Sequence, residues 1–99
     1  MLRFDVIGQE LRRKDDSEIA MGSDGYLQVR ASFTPDWDET TKYVVVTAGG
    51  ATEELAMVDD VATVPGGFLT FPILRLRIIG RGEGGLVIST NTVMMMLER

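Results

Sequence analysis

The stretch Tyr26-Leu27-Gln28-Val29-Arg30-Ala31-Ser32-Phe33 decides the fold class. Leu27, Val29, Ala31 and Phe33 fall on one side of an extended chain, and Gln28, Arg30 and Ser32 on the other. Successive side chains of a strand point to opposite faces, so this pattern is that of a strand buried on one side. Leu74, Leu76 and Ile78 alternate with Arg75 and Arg77 in the same way. Lys42–Thr47 reads Lys-Tyr-Val-Val-Val-Thr, and its β-branched density suits a pleated surface better than a helix. The spacing predicts a core that includes Leu27, Val29, Phe33, Val45, Leu74, Leu76 and Ile78.

Turn signals separate these runs. They are Ser23-Asp24-Gly25, Pro35 to Glu39, Gly49-Gly50, Asp59-Asp60, Pro65-Gly66-Gly67 and Gly80 to Gly85. Strands are predicted over about 2–7, 26–33, 42–48, 53–58, 61–64, 73–79 and 86–96. Residues 8–22 read as strand ends and a loop. About seven short strands with regular turns argue for an all-β sandwich or small barrel. At 99 residues the chain reads as a single domain, 1–99, with one core.

Composition narrows function more than any motif. There is no Cys, so hydrophobic patterning carries the fold without disulfide or thiolate support, as suits a reducing cytoplasm. There is no His, which removes the commonest general base, metal ligand and pH switch. The formal net charge of −5 opposes a surface that tracks phosphates, so no nucleic-acid partner is expected. Charged residues interrupt positions 3–13, so no signal peptide is read there. No run approaches the length of a membrane span, and no membrane partner is expected.

Gly80-Arg81-Gly82-Glu83-Gly84-Gly85 is a literal GxGxxG. A dinucleotide loop needs a following helix whose N-terminus faces the phosphate. Here strands lie on both sides, so the glycines read as a β-hairpin, with no nucleotide or other cofactor expected. Asp36, Asp38, Glu39, Asp59 and Asp60 could offer oxygen to Ca²⁺, which takes about six to eight such ligands. Asp residues also start turns by bonding their own backbone. Glu53-Glu54 and Asp59-Asp60 are unsuited as paired catalytic acids, since neighbours along a strand point apart. No catalytic residue, metal site or cofactor site is assigned, and the chain is not expected to be an enzyme.

Trp37 is the sole Trp and sits in an acidic turn. It would either anchor a partner or plug one end of the core with its indole N–H on a nearby acceptor. Val93-Met94-Met95-Met96-Leu97 breaks the alternation. Met94 and Met96 point one way, and Val93, Met95 and Leu97 the other. Either this last strand is central, or its outer face meets another chain; a third reading is that 97–99 leads into a docking tail. Trp37, Val93, Met95 and Leu97 are taken as the candidate partner interface.

The segment Phe33-Thr34-Pro35-Asp36-Trp37-Asp38, followed by Thr41-Lys42, resembles small β-domains in tail and baseplate proteins of phages and prophages of Gram-positive bacteria. Later signals keep the order of that family: Asp59-Asp60, then Thr63-Val64-Pro65, an alternating strand ending at Gly80, and Thr90-Asn91-Thr92-Val93. The chain departs from it at Glu39, where Gly is common, at Gly66-Gly67, where an aromatic and an acid are usual, and at Phe71-Pro72-Ile73, which replaces a Pro-Gly. The resemblance covers about residues 26–96. It implies an immunoglobulin-like antiparallel sandwich, similar to the N-terminal domain of baseplate upper proteins, made in the bacterial host cytoplasm and docked in a virion. Its partners would be phage structural proteins or further copies of itself in a homo-oligomer, and it carries no catalytic residues. The competing expectation is a β-sandwich that binds a small ligand or carbohydrate, which would want a row of exposed aromatics.

Overall fold

Alternating runs rich in Val, Ile and Leu become strands because a pleated sheet with one wet face buries every second residue. The computed structural model describes residues 2–15, 19, 21–22 and 27–98. Among these, the strands are β1 (Leu2–Ile7), β2 (Glu10–Arg13), β3 (Gln28–Phe33), β4 (Thr41–Ala48), β5 (Ala51–Ala56), β6 (Val61–Thr63), β7 (Ile73–Arg81), β8 (Val87–Ser89) and β9 (Val93–Met96). Short 3₁₀ turns occupy Pro35–Trp37, Gly66–Thr70 and Glu83–Gly85. One sheet has the order β2-β1-β3-β6. The other has β5-β4-β7, with β8 and β9 both paired to the far side of β7. The fold is therefore the expected all-β sandwich.

Four details differ from the sequence reading. Residues 8–22 contain a strand, β2, which pairs antiparallel with β1 through Val6 opposite Leu11. The single strand expected over 86–96 is two strands. The fifth strand begins at Ala51 and ends at Ala56, earlier than predicted. β1 and β3 run parallel, with Phe4 opposite Ala31, so the sheets are not wholly antiparallel. A parallel pair needs a long crossover, and β2 lies in the chain between β1 and β3. The predicted turn at Ser23-Asp24-Gly25 and the strand start at Tyr26 lie outside the described residues.

The core lies between the sheets. The first contributes Leu2, Phe4, Val6, Leu11, Val29, Ala31 and Ala62; the second contributes Val44, Val46, Ala48, Leu74, Leu76, Ile78 and Met95. Of the predicted core set, Leu27, Val29, Leu74, Leu76 and Ile78 belong to it, and Phe33 is half-buried against it. Val45 is buried as predicted, but on the other side of its sheet. It lies outside the inter-sheet cluster, on the opposite face from Val44 and Val46. Its register partners there are Glu54 and Arg77. Three consecutive valines carry no period, so their facing was not readable from sequence. Phe68 and Leu69 are buried from the 3₁₀ turn, where no strand period marks them.

Candidate functional site

Two sequence motifs turn out to be corners of the scaffold. In the first, Pro35 sits early in a 3₁₀ turn that delivers Trp37 into the core with no exposed surface. The indole N–H donates to the Gly8 carbonyl at 2.7 Å, and the ring meets Phe33 with centroids 5.2 Å apart. Thr34 Oγ1 accepts from the Gly8 N–H at 3.0 Å and donates to Asp36 Oδ2 at 3.1 Å. Thr40 Oγ1 donates to the Trp37 carbonyl at 2.6 Å. Trp37 therefore leaves the list of interface residues: its side chain is the plug of one end of the sandwich.

In the second corner, Thr90-Asn91-Thr92 separates β8 from β9. The ladder breaks opposite Arg77 and Ile78, yet the β7 backbone keeps its bonds. Thr90 N–H donates to the Ile78 carbonyl, and Ile78 N–H donates to Thr90 Oγ1, both at 3.0 Å. Asn91 then reaches the other sheet, its Oδ1 accepting from the Leu11 N–H at 2.8 Å. The side chains stand in for ladder partners that a regular strand would have supplied.

The last strand corrects the interface assignment. Met95 opposes Leu74 and Val93 opposes Leu76, so both face inward. Met95 and Leu97 are buried in the core cluster, and Val93 packs against it half-buried. The outward residues are Met94, 58% exposed, and Met96, 74% exposed. Met94 opposes Arg75 and Met96 opposes Ile73. A signal for this was present in the sequence: Thr92, Met94, Met96 and Glu98 form one alternating set with a polar residue at each end, and all four are exposed.

Next to the methionines, β7 presents Arg75 and Arg77 on the same outer face, both exposed. Neither forms an ion pair among the described residues. Further along β7, Arg81 does. Its guanidinium crosses the Tyr43 ring at 5.0 Å and grips Glu54 on β5, with Nη1 to Oε1 at 2.6 Å. That hydrogen bond holds the Glu54 carboxyl below its ordinary range. Glu53 and Glu54 are thus exposed strand residues, one of them in an ion pair.

The acids do not gather into a metal-binding cluster among the described residues. Asp59 and Asp60 both have positive φ between Val58 and Val61, which bridge each other as in a tight two-residue hairpin. Asp36 belongs to the Trp37 corner. Among the described residues no three or more Asp or Glu sit closely enough to share a metal ion. The GxGxxG segment is the β7–β8 hairpin, with Gly84 and Gly85 at positive φ and no helix following. That hairpin and the residues after Trp37 enclose a cleft of about 450 Å³ lined by Asp38, Glu39, Gly82, Glu83 and Leu86. No sequence signal joined these residues, because 38–39 and 82–86 meet only through the register of β4 with β7.

Among the described residues, aromatic side chains do not make a flat binding platform. Phe4, Trp37 and Phe68 are buried, Phe33 and Tyr43 half-buried, and Phe71 stands alone as exposed among the described residues. The candidate functional surface is therefore the outer β7–β9 face with Met94, Met96, Arg75 and Arg77. No family model matches the chain, and neither a curated protein nor a solved structure matches it.

Proposed function

We propose that this chain is a non-catalytic structural module that docks protein to protein in the tail or baseplate of a phage or prophage. The observation that carries the reading is the pair of exposed methionines set beside two exposed arginines on a sheet face. Met and Arg are enriched where proteins meet, and Met adapts its shape to a partner. The resemblance of the Pro-Asp-Trp-Asp and Thr-Asn-Thr-Val segments to phage tail and baseplate domains supplies the setting. Both segments serve this scaffold as corners, which is a role a family could share while its exposed faces diverge.

The test is where the protein ends up. Particles induced from a lysogen carrying the gene are purified on a density gradient and digested for mass spectrometry. The chain is expected to band with the tail proteins at a fixed ratio. Its recovery only in the soluble lysate, with the tail proteins banding normally, would overturn the reading.

A further inference from the structure

Two patches, one on the first half of β7 and one beyond its last residue, complement each other in charge, and both carry exposed apolar side chains. The first is the face of Arg75, Arg77, Met94 and Met96. The second is the cleft of Asp38, Glu39, Glu83 and Leu86, with exposed Val87 on the adjoining strand. None of its three acids forms an ion pair among the described residues. Arg75 and Gly82 lie on and just beyond one continuous strand. At about 3.3 Å per residue they are roughly 23 Å apart, and Arg77 is roughly 17 Å from Gly82. A rigid sandwich cannot fold one patch onto the other, so they can meet only between molecules.

We propose that this chain assembles with itself head to tail, the Arg75–Arg77–Met94–Met96 face of one copy seating in the acidic cleft of the next. The inference rests on the docking role proposed above and names the partner as a second copy. The two surfaces differ, so the contact is heterologous. Repeated, it closes a ring or grows a filament rather than stopping at a symmetric dimer. The opposite charges steer the encounter and set the polarity, and the methionines with Leu86 and Val87 supply the desolvated centre. A different acidic partner could satisfy the arginines but would leave the cleft unused.

Light scattering on the purified chain tests this. In low salt the mass is expected to rise with concentration past that of a dimer. It should fall toward the 10.9 kDa monomer as salt screens the charges. Two double variants then separate the patches: Arg75→Gln with Arg77→Gln, and Asp38→Asn with Glu83→Gln, which remove charge without creating the opposite one. All four positions are exposed, and circular dichroism with Trp37 emission checks that each variant folds. Each variant alone should be monomeric. Mixed in equal amounts they should form a dimer that grows no further, since one intact patch of each kind remains. Should the face variant misfold, Met94→Gln with Met96→Gln replaces it, and should the cleft variant misfold, Leu86→Gln with Val87→Gln does, all four positions being exposed. A wild type that is monomeric at all concentrations, a variant that keeps the wild-type mass, or a mixture that stays monomeric would each overturn the proposal. A monomeric chain recovered in purified particles would remove the self-docking and leave the assembly role standing; a self-associating chain absent from particles would do the reverse.

Discussion

The indole of Trp37 lies so close to the backbone of Gly80 that a β-carbon at residue 80 would sit 2.9 Å from Cε3 and 3.0 Å from Cζ3. Thr40 Oγ1 would be 2.9 Å away on another side. The first glycine of the GxGxxG is thus a packing surface for the plug. Gly80→Ala should destabilise the fold by about 1–3 kcal/mol, as overpacking of a filled site does. Urea unfolding followed by Trp37 fluorescence measures it, and an unchanged midpoint would mean that the indole does not rest on this strand.

Trp37 is the only Trp, so its emission reports on its own site. Burial predicts a blue-shifted native spectrum that moves red on unfolding. Trp37→Ala should cost about 3–5 kcal/mol through the cavity it leaves. Trp37→Phe should cost less, but it strips the Gly8 carbonyl of its indole donor. A native emission maximum like that of free tryptophan would count against the plug.

Neighbouring methionines should respond in opposite ways to the same change. Met95→Lys places a charge in the core, where it has no partner, and the domain should lose its cooperative unfolding transition. Met96→Lys projects into solvent and should shift stability by no more than about 0.5 kcal/mol. Thermal melts of the two variants decide between this register and its one-residue slip, which would exchange the two results.

The bond from Ile78 N–H to Thr90 Oγ1 is buried. Thr90→Val keeps the shape and removes the acceptor, leaving that N–H without a partner at the ladder break. A loss of about 1–3 kcal/mol is expected. Amide exchange at Ile78 should quicken with it, and unchanged protection there would show that another group holds the proton.

Arg81 lowers the carboxyl titration of Glu54. A folded-state value below the unfolded one means that the pair stabilises the fold above the ordinary carboxylate range. That contribution is lost as pH falls through the lowered value. Arg81→Met should therefore raise the Glu54 midpoint in a carboxyl NMR titration. Because both partners are exposed, the change in overall stability should be small and should shrink in salt. A midpoint that does not move would mean that the pair seen across Tyr43 does not persist in solution.

The fold class was legible in residues 27–33 and 73–79 because each strand there buries one face and wets the other, and a period of two records which is which. The plug role of Trp37 and the hairpin role of the glycines could likewise be stated as options from local chemistry. Runs apolar throughout carry no such record. Val44-Val45-Val46 and Val93-Met94-Met95-Met96 read the same on both faces, and only pairing with β7 orients them. There Leu74 and Leu76 fix the inner side, and Arg75 and Arg77 the outer. The same pairing brings residues 38–39 against 82–86 and puts Met94 beside Arg75. Local patterning thus selects strands and turns, which depend on near neighbours. The composition of a surface depends on strand register, a sum of contacts between residues far apart in the chain, and was settled only when the two sheets packed.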